Sequence, residues 1–239
     1  MNVKLGISLI TMDHVNFERD IKLVEETKKV SYIHVDAMDG AFVPRYGIYP
    51  EIVHNVSQIT DLPLDLHLMV KDVEFAIDEF TRLAQFETIS FHHYQNEGRV
   101  FRIIDKILAK GSKPVLTIDL STSVAQVKEI LDHNQLDGVM FMGIHPGVLF
   151  QNHRPEFVFK KALEIREYCN KNNLMAQNNL QIDGGFNFET AEALLYHGIN
   201  NFVGGSSTIL AGLKTVSEPK LRSEKIQDNI RRLENFFNA

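Results

Sequence analysis

The amino-acid sequence predicts an α/β protein that folds as a closed (β/α)8 barrel. Short apolar runs of strand length alternate with longer amphipathic stretches, and the alternation repeats eight times within 239 residues. Strict alternation of strands and helices requires parallel strands joined by crossover helices. Eight such units in a chain near the usual length of about 250 residues favour closure into a barrel. We therefore expect a single domain over residues 1–239.

The predicted strands are short apolar runs. They lie at residues 5–10, 32–36, 64–69, 88–92, 114–118, 138–142, 180–183 and 201–203. The predicted helices carry apolar residues three or four positions apart. They lie at 17–29, 50–57, 73–83, 100–109, 124–131, 155–170 and 188–197, with a helical turn at 206–211 and a final helix at 225–237. We expect Ser121 or Thr122 to cap the fifth helix, and residues 217–225 to form a polar surface loop.

An open, doubly wound sheet is the alternative to the barrel. That fold usually carries a glycine-rich nucleotide loop after its first strand. Here the first strand continues into SLITMD, at residues 8–13, which contains no glycine.

Composition excludes several classes of protein. The net charge is −6, so a nucleic acid is not an expected partner, because phosphate-backbone binding needs a basic surface. No window approaches the roughly 20 apolar residues of a membrane span, and the N-terminal apolar run is too short for a signal peptide. We expect a soluble, cytoplasmic protein without membrane contact. Cys169 is the only cysteine, which excludes an internal disulfide and indicates a packing role.

Polar residues end several predicted strands, where the active site of a (β/α)8 barrel lies. His34 and Asp36 share one face of the second strand, His67 lies near the end of the third, and Asp183 ends the seventh. One such residue alone is more often a hydrogen-bonded structural residue than a ligand. Together, two histidines and two carboxylates suit zinc, manganese or ferrous iron.

Glycine-containing turns follow the last two strands, at Gly184-Gly185 and at Gly204-Gly205-Ser206. Loops at these positions commonly bind phosphate through backbone N–H groups, although glycines also simply make tight turns. The loop from His145 after the sixth strand could cover a bound substrate or be a passive connection. We expect His92 and His93 to have a supporting or packing role.

The sequence resembles the ribulose-phosphate 3-epimerase family over most of its length, from Ser8 to Ser206. The matching segments include HVDAMDGAFVP at residues 34–44, LPLDLHLM at 62–69, Met142, PG at 146–147, DGG at 183–185 and GGS at 204–206. The resemblance implies a TIM barrel of the ribulose-phosphate-binding type, a phosphorylated ketose as substrate and a homo-oligomer.

The resemblance also implies roles for individual residues. His34, Asp36, His67 and Asp183 would bind one divalent ion of zinc, iron, manganese or cobalt. Asp36 and Asp183 would be the catalytic acid–base pair that inverts C3 of the ketose phosphate through a metal-stabilised enediolate, converting D-ribulose 5-phosphate to D-xylulose 5-phosphate. The residues implied in substrate binding are Ser8, Met38, His67, Met69, Met142, Gly147, Gly184, Gly185, Gly205 and Ser206.

The departures from the family pattern lie around the substrate. Ile7 stands where the family usually has proline, and Arg45 where it commonly has asparagine. Val148, Leu149 and Phe150 make the loop after the sixth strand bulkier than usual. Allulose 6-phosphate is therefore an alternative substrate.

Two further alternatives remain open. A related decarboxylase or formaldehyde-condensing synthase would carry a lysine within the motif that follows Asp36, where this chain has Ala37, Met38 and Asp39. A non-catalytic sugar-phosphate-binding paralogue has little need for two opposed carboxylates, but fold alone does not fix function.

Overall fold

The computed structural model describes residues 3–95, 99–148 and 155–237, and eight parallel strands in it close a barrel in sequential order. The strands are β1 Lys4–Ser8, β2 Tyr32–Met38, β3 Leu64–Met69, β4 Thr88–His92, β5 Lys113–Ile118, β6 Gly138–Met142, β7 Leu180–Asp183 and β8 Asn201–Gly204. The predicted TIM-barrel fold is confirmed. No helix among the described residues is both long enough and apolar enough to cross a membrane.

Helices cover the outside of the barrel. They are α1 Phe17–Glu25, α2 Pro50–Ser57, α3 Val73–Leu83, α4 Val100–Ala109, α5 Lys128–Asp132, α6 Pro155–Asn172, α7 Ala191–Tyr196 and α8 Pro219–Phe237. The fourth helix illustrates why they form: Val100, Ile103, Ile104 and Ile107 lie on one face and are all buried. Cys169 of α6 is fully buried in the same core, and burial raises the pKa of its thiol to about 11, so it packs as predicted.

Several predicted helix limits were wrong because local hydrogen bonds compete with the helix. The fifth helix is a 3₁₀ turn, Val124–Gln126, followed by α5, and Ser123 caps the turn instead of Ser121 or Thr122. The first helix ends at Glu25, and α7 begins only at Ala191.

The predicted loop at 217–225 is mostly helix. The last helix begins at Pro219, a residue suited to a first helical turn, and the Glu218 carboxylate accepts the N–H groups of Lys220 and Leu221.

The segment around Pro219 carries a buried ion pair that joins the two ends of the chain. Arg222 of α8 donates from Nε and Nη2 to the two oxygens of Asp20 in α1, at 2.8 and 2.7 Å. Its Nη1 donates to the carbonyl oxygens of Leu213 and Val216. Asp20 is fully buried, and every polar atom of the pair has a partner.

The inside of the barrel differs from the branched apolar filling that is usual for this fold. Gln181 donates from its side-chain amide to the hydroxyl of Tyr32 and to the carboxylate of Asp65, and the Tyr32 hydroxyl donates to Asn201. These buried polar residues come from β2, β3, β7 and β8. Side-chain hydrogen bonds inside the barrel therefore connect the first strands of the chain to the last.

Candidate active site

The register of the strands brings the four predicted metal ligands together at the carboxyl end of the barrel. His34 pairs with Ser8 on β1, and Asp36 pairs with His67 on β3. Asp183 ends β7, beside Met142 of β6. One ligand atom from each of His34, Asp36, His67 and Asp183 lies within 4.8 Å of all the others.

The two histidines aim one nitrogen each at both carboxylates. Nε2 of His34 lies 3.4 Å from Oδ1 of Asp36 and 3.8 Å from Oδ2 of Asp183. Nδ1 of His67 lies 3.4 and 3.3 Å from the same two oxygens. Both nitrogens are buried, and neither makes a hydrogen bond within the described part of the chain. Buried polar atoms are seldom left in that state, so the lone pairs of these two nitrogens are available to a metal ion.

These distances fit a metal ion. Two ligand atoms that each lie about 2.1 Å from one ion, at a tetrahedral angle, are about 3.4 Å apart. The four nitrogen–oxygen distances, 3.3 to 3.8 Å, scatter around that value. Two imidazole nitrogens and two carboxylate oxygens also suit zinc, iron, manganese or cobalt. The residues present therefore can hold a divalent cation.

The electrostatics of the cluster agree with this interpretation. Burial opposes charge on all four groups, but the opposite charges outweigh it. The pKa of His34 is raised well above its usual value by Asp36 and Asp65, and that of His67 is raised by Asp183 and Asp36. The histidines in turn hold the pKa of Asp36 and that of Asp183 below the usual range.

The second ring nitrogen of each histidine contacts a polar group on the side of the ring away from the carboxylates of Asp36 and Asp183. Nδ1 of His34 lies 2.7 Å from Oδ2 of Asp65, a fully enclosed carboxylate that also accepts hydrogen bonds from Thr88 and Gln181. Nε2 of His67 lies 3.0 Å from Nε2 of His92. Carboxylate or other acceptors behind the ligating imidazoles are typical of metal sites.

A cavity of about 430 Å³ opens above the cluster. Asp36 and Asp183 reach its wall, whereas His34 and His67 are fully buried beneath them. Most of the predicted substrate-binding residues line it: Ser8, Met38, Met69, Met142, Gly147, Gly184, Gly185, Gly205 and Ser206. Arg45 is the only lysine or arginine on the wall within the described residues.

The glycine turns at one side of the cavity leave backbone donors available. Gly184 and Gly185 both have positive φ, 69° and 75°. Their N–H groups, and that of Ser206, make no hydrogen bond to another described residue. The N–H of Gly205 differs, because it donates to the hydroxyl of Thr208. Such turns bind phosphate well.

The loop after β6 meets the loop after β2 over the cavity. Gly147 has φ of 70°, and a side chain at this position would collide with Val43. Val148 also lines the cavity. Leu149 and Phe150, the bulky residues that set this loop apart in the sequence, lie outside the described residues.

Two residues of the site were not predicted from the sequence. Asp65 lies two positions before His67, so strand alternation alone would have placed both side chains inside the barrel. Asp119 directly follows β5 and lies 3.1 Å, through Oδ1, from Nδ1 of His92. Its signal, a carboxylate at a strand end, is the same as that of Asp183.

Sequence comparison decides the family. The profile of the Ribulose-phosphate 3 epimerase family matches residues 4–209. The chain belongs to the ribulose-phosphate 3-epimerase family. It is 31% identical to a ribulose-phosphate 3-epimerase of Methanocaldococcus jannaschii, over 86% of this chain and 83% of that protein. It is 32% identical to one of Bacillus subtilis, over 86% and 91% of the two chains.

Solved structures agree on the fold. The tryptophan synthase α-subunit of Pyrococcus furiosus superposes with a TM-score of 0.66 at 13% identity, over 98% of both chains. A 3-hexulose-6-phosphate synthase of Salmonella typhimurium gives 0.61 at 14% identity, over 96% and 99% of the chains. Family membership makes this epimerase an isomerase of carbohydrate metabolism.

Proposed function

We propose that this family member is a metal-dependent enzyme that inverts C3 of a ketose phosphate, interconverting D-ribulose 5-phosphate and D-xylulose 5-phosphate. One observation carries the proposal. Two carboxylates at the floor of a cavity face two buried imidazole nitrogens that lack a partner within the described residues. A protein that only bound a sugar phosphate would have no use for such an arrangement.

His34, Asp36, His67 and Asp183 would hold one divalent ion of zinc, iron, manganese or cobalt. When bound, the ion supplies Lewis-acid charge beside the substrate oxygens, which lowers the free energy of the anion left when C3 loses its proton. The histidines must be neutral to ligate, so binding releases protons from them.

Asp36 and Asp183 would move the proton. One carboxylate takes the proton from C3, and the electrons of the C–H bond form the C2–C3 double bond of an enediolate. The other, protonated, carboxyl group returns a proton to C3 from the opposite face, and the double-bond electrons form the new C–H bond. The two groups come from β2 and β7, and both line the cavity. Ser8 donates a hydrogen bond to Oδ2 of Asp36 and would hold it in position.

The remaining wall would bind and enclose the substrate. The N–H groups of Gly184, Gly185 and Ser206, which have no hydrogen-bond partner among the described residues, would donate hydrogen bonds to the phosphate oxygens, with Gly205 allowing close approach. Met38, Met69 and Met142 would exclude water from the reacting carbons, which strengthens the electrostatic interactions there. We further propose that the protein acts as a homo-oligomer, which light scattering on the purified chain tests.

The presence of Arg45 in the cavity wall supports allulose 6-phosphate as an alternative substrate. It adds a positive charge with five donors to a cavity that the family pattern lines with an uncharged amide. Those donors could bind an additional hydroxyl, as in the six-carbon ketose allulose 6-phosphate.

The test is a pair of turnover assays on the purified protein loaded with each metal in turn. One assay supplies ribulose 5-phosphate and the other allulose 6-phosphate, and the product is identified by its configuration at C3. Turnover of the five-carbon substrate supports the proposal, and preference for the six-carbon substrate supports the alternative. Tight binding of both without turnover would show a non-catalytic sugar-phosphate-binding protein.

A further inference from the structure

His92 and Asp119 lie behind His67, on the side away from the cavity floor. His92 ends β4 and is fully buried, and Asp119 directly follows β5 and is 8% exposed. Neither residue lines the cavity, so neither has a part in the proton transfers proposed for Asp36 and Asp183.

The contact between the two histidines has the geometry of an in-plane hydrogen bond. Their Nε2 atoms are 3.0 Å apart, the ring centroids are 5.2 Å apart and the planes differ by 20°. The two nitrogens therefore lie nearly on the line between the rings, in the direction of an N–H bond and a lone pair. One of the two rings must donate and the other accept.

The direction of that bond follows from the surroundings of each ring. Nδ1 of His67 faces two carboxylates. When a metal ion takes the lone pair of this nitrogen, the proton of the ring would lie on Nε2 and would be donated to His92. Nδ1 of His92 lies 3.1 Å from Oδ1 of Asp119. The contact lacks hydrogen-bond geometry, but the negative charge favours a proton on that nitrogen and leaves Nε2 as the acceptor. In the metal-bound state both rings would then have a defined tautomer.

Hydrogen bonds from neighbouring residues hold His92 and Asp119 in position. The Gln95 side chain accepts the backbone N–H of His92 and donates to two carbonyl oxygens at the end of β3. Lys161 donates to the backbone carbonyl oxygens of Asp119 and Leu120, and Tyr94 donates to the second oxygen of the Asp119 carboxylate. These hydrogen bonds fix both residues in a single arrangement, as a positioning role requires.

We propose that His92 and Asp119 are positioning residues that fix the tautomer and orientation of His67 for metal binding. The inference rests on the proposed metal site. Asp65 orients His34 by direct contact with its Nδ1. For His67, the carboxylate of Asp119 would act through the imidazole of His92. Loss of this kind of support commonly lowers metal affinity by about 10–100-fold.

The experiment measures the Zn²⁺ dissociation constant of the full chain by competition with a chromogenic chelator. Variant His92→Leu removes the acceptor, His92→Gln restores an acceptor oxygen, and Asp119→Asn removes the charge. We expect His92→Leu to weaken Zn²⁺ binding at least about ten-fold, His92→Gln to recover most of the loss, and Asp119→Asn to fall between them. Thermal melting of each metal-free variant reports any general loss of stability.

The neighbouring His93 supplies the matched control. It is half-buried, and its ring packs edge-to-face against Tyr94, whereas the ring of His67 packs against that of His92. His93→Leu should bind Zn²⁺ as the wild type does. Equal affinity in wild type and His92→Leu, or an equal loss in His93→Leu, would overturn the positioning role alone. Failure of the wild type to bind Zn²⁺ would overturn the metal site as well.

The visible spectrum of the Co²⁺-loaded protein gives a readout that a purely structural role would not change. A misoriented His67 alters the ligand field, so His92→Leu should change the d–d bands while His93→Leu leaves them unchanged. An unaltered spectrum in His92→Leu would contradict the inference.

Discussion

Two of the groups of buried charged side chains in this barrel are satisfied in opposite ways. Asp20 and Arg222 form a two-bond pair between α1 and α8, and the remaining guanidinium donors reach backbone carbonyl oxygens. At the mouth of the barrel, His34 and His67 each keep one nitrogen that has no hydrogen bond within the described residues. Both groups are therefore buried. They differ because the polar atoms of the Asp20–Arg222 pair all have hydrogen-bond partners, whereas one nitrogen of each histidine has none among the described residues.

The difference separates a structural charge from a functional one. A buried pair that is fully hydrogen-bonded holds two helices together and offers nothing to a ligand. A buried cluster with open nitrogens, facing a cavity, carries an energetic cost that only a ligand or a proton removes. The comparison predicts that substitutions in the first group affect stability and substitutions in the second affect activity.

The largest effect is expected at the two carboxylates of the cavity. Asp36→Asn or Asp183→Asn removes one of the two proton carriers, so epimerisation should fall by about 10⁴-fold. Product formation and deuterium uptake at C3 in heavy water measure it. Asp228→Asn, on the exposed surface of α8, is the control. Full activity in either site variant would rule out the assigned mechanism.

The second effect is on stability. Asp20→Asn leaves Arg222 buried without its counter-charge, which should cost about 3–5 kcal/mol of unfolding free energy while activity per folded molecule is kept. Urea unfolding measures the loss. The double variant Asp20→Leu/Arg222→Met should recover most of it. A single variant as stable as the wild type would show that the pair does not hold α1 to α8.

The third effect comes from adding metal. A cation that binds the folded chain at 100 times its dissociation constant should raise the unfolding free energy by about 2.7 kcal/mol. Thermal melting with and without Zn²⁺ tests this, and chelation should reverse it. His34→Gln should abolish the shift, whereas Asp20→Asn should keep it. A shift of equal size in His34→Gln would place the metal elsewhere.

A smaller effect is expected at Arg45. Replacement by the asparagine that the family commonly carries removes a charged donor, so KM for the phosphorylated ketose should rise about ten-fold with kcat little changed. Steady-state kinetics on both ketose phosphates measure it. If only the six-carbon substrate is affected, Arg45 acts on the sugar hydroxyls; no change for either substrate would exclude both roles.

The smallest effect is on acid stability. Burial opposes ionisation of Asp20, but Arg222, with the backbone N–H of Asp13 and Arg19, outweighs it and holds the pKa of Asp20 below 3.8 in the folded protein. Its stabilisation is therefore complete above that pH and is lost as the pH falls through the lowered value. Unfolding curves from pH 5 to 2 should show a shallower loss in the double variant than in the wild type. Parallel curves would contradict the assignment.

Local patterns in the sequence predicted much of the fold and the site. Strand β3, with alternating apolar and polar residues, was predicted to the residue, as were helices α3 and α4. The clustering of His34, Asp36, His67 and Asp183 followed from their positions at strand ends in a closed barrel.

What the sequence did not reveal depends on contacts between distant residues. The partner of Asp20 lies 202 positions away in a segment that was predicted to be a loop. Asp119 becomes part of the site only because β4 and β5 are adjacent in register, at His92 and Thr117. Neither pairing leaves a local pattern, since any carboxylate could have had another partner.

The polar interior of the barrel has a consequence for the chain as it is made. Asp65, which holds His34, also depends on Gln181 from β7, and Gln181 in turn contacts Tyr32 of β2. A nascent chain that has emerged only through β6 therefore lacks both Asp183 and the residue that steadies Asp65. Such an incomplete barrel has only three of the four proposed metal ligands, so the proposed cation site would be complete only after the seventh strand has been made.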